Sequence, residues 1–152
     1  MITTTLNRIR EHGPCSEGWF KLLAGLGKTT ADDEPLPYSR IAEINGIDDA
    51  LWACRAEPQH SKEWRLFAVW CARQVEHLMT DERSLAALNV AERYANGEAS
   101  DKELAAAWAA ARDAARDVPS DAAWAARAAA RDAASLDAGE AQTKKFLEIV
   151  RG

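Results

Sequence analysis

Residues 100 to 117 read SDKELAAAWAAARDAARD, a stretch that only a helix accommodates well. Alanine has the highest helix propensity of the residues. Ser100 and Glu103 stand at capping-box spacing, so the serine oxygen can accept the amide three residues on while the glutamate reaches back to the cap's own amide. Val118-Pro119-Ser120 ends the run, and AAWAARAAARDAAS at 122 to 135 echoes AAWAAARDAARD at 106 to 117. Two copies are fewer than a solenoid needs, which predicts a helical hairpin of closely packed rods. Trp108 and Trp124 are the large groups expected to lock these rods against their neighbours.

The same punctuation runs through the rest of the chain. Ile2, Leu6 and Ile9 at helical spacing predict a short first helix that stops before Gly13-Pro14. Ser16 is the expected cap of a second helix carrying Trp19, Phe20, Leu22 and Leu23, and Gly25 or Gly27 ends it. KTTADDEPLP at 28 to 37 is the long polar connection of the first half. Ile41 and Ile44 mark a helix closed by Asn45-Gly46, and Asp48 or a neighbour opens the next, which carries Leu51 and Trp52. Beyond Pro58, SKEWRLFAVWCARQVEHL has a broad apolar face and is the expected central core helix. Thr80 or Asp81 caps the helix that ends at Asn96-Gly97, and a last helix holds Phe146, Leu147, Ile149 and Val150.

These signals predict an all-α fold: a compact multi-helix bundle with an Ala/Trp-rich helical hairpin in its C-terminal half. At 152 residues a single domain is expected, with short N-terminal helices over 1–57 and the core helix plus alanine-rich helices over 58–152. Hydrophobic residues make up 47% of the chain and charged residues 28%, the composition of a self-folding globular protein. The net charge of -5, with arginines interleaved among acids, argues against binding the phosphate backbone of nucleic acid directly. Neither a secretory leader nor an apolar run of membrane-spanning length is present, and three scattered cysteines make a poor disulfide framework, so a cytoplasmic protein with no membrane association is expected.

Candidate chemistries fail on spacing. LLAGLGKTT at 22 to 30 ends like a phosphate-binding loop, but Leu22 occupies the first glycine position and a helix stands where the strand should be. It reads instead as a helix C-terminus, with Lys28 at the negative end of the helix dipole. His12 and Cys15 are separated by Gly13-Pro14, and three His with three Cys are too dispersed for a zinc site. Cys71 lies on the apolar face of the core helix as an inert thiol, and His60 and His77 flank that helix as solvated or capping groups. No nucleophile elbow occurs, so neither a catalytic residue nor a cofactor is expected. Asp48-Asp49 suits a helix N-terminus, and Asp32-Asp33-Glu34 forms an exposed acidic loop. Of the six tryptophans most serve the core, with one or two open to partners as anchors.

WRLFAVWCARQV at 64 to 75, DERS at 81 to 84, LNVAERYANGEAS at 88 to 100 and the alanine-rich run that follows resemble the immunity-protein family of bacterial polymorphic toxin systems. The likeness spans about residues 60 to 135 and departs at Ser84, where the family pattern has proline. The first half, from Gly13 to Trp52, is similar to a module of small phage and prophage proteins. Together these resemblances imply a non-catalytic, stoichiometric inhibitor that acts in the cytoplasm of a bacterial host. Its partner would be a bacterial protein, either a toxin or a defence component in the manner of an anti-CRISPR protein. Asp32, Asp33 and Glu34 are the expected partner-binding residues, suited to a basic target. The alternatives are a small-molecule binder or enzyme with an inter-helix pocket, and a structural virion component.

Overall fold

The computed structural model describes residues 1–117 and 136–152. The chain is all-α: among the described residues eight α-helices accompany one minimal two-stranded ladder. None of these helices is long and apolar enough to cross a membrane. The second alanine-rich segment, with Trp124, lies outside the described residues. The chain divides into two compact units, one of residues 1–60 and 143–152 and the other of residues 61–142.

In the first unit β1 (Thr3–Thr4) pairs antiparallel with β2 (Leu36–Pro37), Thr3 opposite Pro37 and Thr4 opposite Leu36. The helices are α1 (Leu6–Glu11), α2 (Ser16–Gly25), α3 (Tyr38–Asn45) and α4 (Ile47–Ala53), followed by 3-10 turns at Cys54–Ala56 and Pro58–His60. Ile2 therefore precedes a strand instead of opening the first helix, which starts at Leu6 with Thr5 as its cap. The sequence spacing of 2, 6 and 9 misled because Ile2 is buried for another reason. It exchanges main-chain hydrogen bonds at both sides, donating to Val150 O at 2.7 Å and accepting from Tyr38 N at 3.3 Å. Val150 belongs to the last helix, of which residues 143–151 join this unit.

Tyr38 and Phe146 are fully buried and meet edge to face, their ring centroids 6.4 Å apart. The Tyr38 hydroxyl donates to Ala53 O at 2.9 Å, giving a buried polar group the partner it needs. Desolvation drives the Tyr38 phenol well above its ordinary value, so it stays protonated as that donor. Beside this core Glu57 is also fully buried. Arg8 Nη1 donates to both its carboxylate oxygens, at 2.8 and 2.6 Å, and Gln59 Nε2 donates to it as well. This ion pair ties α1 to the connection after α4 across 49 positions of sequence.

The second unit contains α5 (Ser61–Gln74), a 3-10 turn at Glu76–Leu78, α6 (Glu82–Ala95), α7 (Asp101–Asp117) and the start of the last helix, α8 (Leu136–Arg151). The core helix expected through Leu78 ends at Gln74 and tightens into the 3-10 turn. Successive helices are neighbours, α6 packing on both α5 and α7. Phe67, Val69, Ala87, Leu88, Ala95, Leu104 and Ala114 are buried. The capping box forms as the sequence predicts: Ser100 N donates to Glu103 at 2.8 Å and Glu103 N to Ser100 Oγ at 3.2 Å. Asp81 caps α6 by accepting from Arg83 N at 2.8 Å. Arg65 lies over the Tyr94 ring at 4.8 Å, and Arg73 reaches Glu76, Asn89 and Glu92 at 2.6 to 2.9 Å. Trp108 does not act as a lock, since it is 55% exposed.

Candidate partner-binding site

The acidic loop begins where α2 stops. Lys28 N donates to Leu23 O and Gly27 N to Ala24 O, the paired bonds of a Schellman motif, with Gly27 in the left-handed conformation at φ +67°. Lys28 does not cap the dipole with its side chain. Its ammonium turns forward and donates to Asp32 at 2.6 Å and Glu34 at 2.5 Å. The backbone thus reverses at Gly27 and the ammonium gathers two of the three acids around itself.

Asp32 is fixed on every side. Its Oδ1 accepts from Glu34 N at 3.2 Å, its Oδ2 from Lys28, and its carbonyl from Asn7 N at 3.0 Å. The hydrogen bond from Lys28 holds the Asp32 carboxyl below its ordinary range, and the bonds to Asp32 and Glu34 raise the Lys28 ammonium above its own. Asp33 is exposed and stands apart from Lys28, accepting only a long 3.5 Å bond from Thr5 Oγ1 among those described. The sequence places three equivalent acids on this loop. The structure makes them unequal, with Asp32 and Glu34 tied to an internal counter-ion and Asp33 left as the outward charge.

A second feature lies among α2, α3 and α4: a half-open cleft of about 160 Å³. Trp19 and Trp52 supply its aromatic lining, and Cys15, Asn45 and Asp49 supply its polar groups. Cys15, not Ser16, is the cap of α2, its sulfur accepting from Gly18 N at 3.4 Å. Asn45 Nδ2 donates to Gly18 O at 2.8 Å and to Asp49 Oδ2 at 2.6 Å, which aligns Asp49 and uses both amide hydrogens. Asn45 Oδ1 is buried and has no hydrogen-bond partner among the described residues. Arg55 lies on the Trp52 ring at 4.3 Å while its Nε donates to Trp52 O at 2.8 Å.

Sequence reasoning found Asp49 only as a helix opener and Asn45 only as a helix end. Their four-residue separation across the Gly46 joint was the available signal, but Trp19 and Trp52 are brought together by packing alone. Phe20, carried by the same helix as Trp19, is 67% exposed. Cys54 is half-buried, and desolvation pushes its thiol up to about 12. The Cys71 thiol is raised by the same cause, consistent with an inert sulfur. Neither a protein-family model, nor a curated protein, nor a solved structure matches the chain.

Proposed function

We propose that the protein is a non-catalytic inhibitor that binds a basic bacterial protein stoichiometrically through the acidic face of its first unit. The observation that carries this reading is the loop at 28 to 34, an exposed acidic turn already held in one conformation by Lys28 and by the main chain of α1. A preorganised surface loses little conformational entropy on binding, and complementary charge speeds encounter with a basic target. Origin in a phage or mobile element, and a role as toxin immunity or as an anti-CRISPR-like block on a defence component, follow from the resemblances described above.

Asp33→Lys tests this reading because it reverses the outward charge without touching the Lys28 bridge. The expected outcome is loss of most of the salt-sensitive capture of a bacterial partner by the immobilised protein, the association rate falling about tenfold while the fold is unchanged. Equal capture by wild type and variant would remove the loop from the interface. The cleft favours a second reading, a small-molecule binder; a thermal-shift screen with nucleotides and metal ions would support it if a ligand raised the melting temperature reproducibly.

A further inference from the structure

The cleft among α2, α3 and α4 has a polarity of its own. Both hydrogens of the Asn45 amide are spent on Gly18 O and Asp49 Oδ2. The accepting capacity left to the cleft is on the Asp49 carboxylate, with Asn45 Oδ1 buried behind it and the Cys15 thiol and two indole N–H groups as the donors of the lining. A carboxylate oxygen that accepts one hydrogen bond retains further lone pairs, and the second oxygen of Asp49 has its own. The remaining lining is apolar and includes two indoles. A donor-seeking carboxylate between aromatic walls suits a cation on an apolar stem.

Arginine fits this better than lysine. Its planar guanidinium stacks on aromatic faces and its fork matches a carboxylate. Trp52 already carries one guanidinium, that of Arg55 at 4.3 Å. Of the neighbouring basic groups, Arg55 donates to Trp52 O and Lys21 to Asn45 O at 3.5 Å, and among the described residues neither forms an ion pair with Asp49. Exposed Glu17 and Asp48, in the first turns of α2 and α4, add negative charge on the same two helices. We infer that this cleft is the anchor pocket for an arginine side chain of the partner protein, with Asp49 as its ion-pair acceptor and Trp19 and Trp52 as its walls. The inference rests on the protein-binding reading above, and it fixes the chemistry of the residue that the partner inserts.

The test needs no identified partner. N-acetyl-arginine amide is titrated into the isotopically labelled protein while the indole N–H resonances of Trp19 and Trp52 are followed. N-acetyl-norleucine amide and free arginine are run beside it. Saturable shifts at both indoles with the capped arginine, at least fivefold weaker with norleucine, are expected. Asp49→Asn should abolish most of the arginine response, because it keeps the contact with Asn45 but removes the charge. Gly18→Ala provides a second variant, since an added Cβ would lie 2.7 Å from Asp49 Oδ2 and displace it.

Equal binding of norleucine, an unchanged response in Asp49→Asn whose melting curve matches wild type, or absence of any indole shift would overturn the proposal. Binding of free arginine at the exclusion of the capped form would overturn the commitment to a protein partner in favour of a small amino compound. If the capped arginine binds while Asp33→Lys leaves partner capture intact, the loop fails and the cleft stands. If the titration fails while Asp33→Lys abolishes capture, the reverse holds.

Discussion

The two units solve the same problem by opposite means. The first is held by contacts between residues far apart in sequence: Arg8 with Glu57, Thr3–Thr4 with Leu36–Pro37, and Ile2 with Val150. The second is held mainly between consecutive helices, with caps and ion pairs such as Ser100 with Glu103 and Arg73 with Glu76 closing over a few positions. Long-range contacts close large loops and make each partner indispensable, whereas local contacts are individually modest and replaceable. A single substitution should therefore hurt the first unit more than the second.

Arg8→Ala is the severest way to break that contrast. It leaves the Glu57 carboxylate buried without its cation; with Arg8 itself 48% exposed, the loss falls below the ~3–5 kcal/mol of a fully buried pair but remains the largest here. Cys54 in the first unit and Cys71 in the second report each unit separately, since both thiols are held protonated by desolvation and become reactive on opening. Alkylation of Cys54 should move to much lower urea in Arg8→Ala, with Cys71 shifted far less. Equal shifts at both cysteines would show that the two units unfold as one.

Ser100→Ala is the converse and smaller perturbation. Losing the cap of α7 should cost about 1 kcal/mol and register at Cys71 before Cys54. An effect as large as that of Arg8→Ala would refute the idea that local contacts in the second unit are replaceable.

The smallest effect is electrostatic. Asp32 is depressed by the hydrogen bond from Lys28, so its contribution is present above its ordinary value of 3.8 and is lost as pH falls through the lower folded value. Lys28 is raised by Asp32 and Glu34, so its contribution is present below 10.5 and is lost as pH rises through the higher folded value. The amide proton shift of Glu34, which donates to Asp32, should move as pH falls through the lower folded value of Asp32, and Asp32→Asn should remove this movement. Acid also weakens the second unit, because Asp81 and Glu103 are lowered by Arg83 and by Ser100 respectively.

The same division governs how much of the fold the amino acids disclose. The Ser100 box, the Asp81 cap and the Gly27 helix end are legible because cause and effect lie within six residues. The Arg8–Glu57 ion pair and the ladder are not, since nothing near Arg8 marks Glu57 as its partner. Ile2 shows the limit of periodicity: an apolar residue at helical spacing is equally apolar in the extended segment that precedes a strand. The candidate site is half legible for the same reason. Acidity of the 32 to 34 loop is plain in the sequence, but the inequality of its three carboxylates depends on where Lys28 turns. The cleft depends on two tryptophans that meet only after α2 and α4 have packed.

The bond between Ile2 and Val150 also orders events in time. During synthesis residues 61–142 emerge complete while residues 1–60 still lack their last ten partners. The second unit can settle on the ribosome as each helix appears. The first must hold Tyr38 without Phe146, and Ile2 without Val150, until residues 143–152 have been added. The finished surface of that unit, the acidic loop and the cleft included, therefore forms only after residues 143–152 have joined the chain.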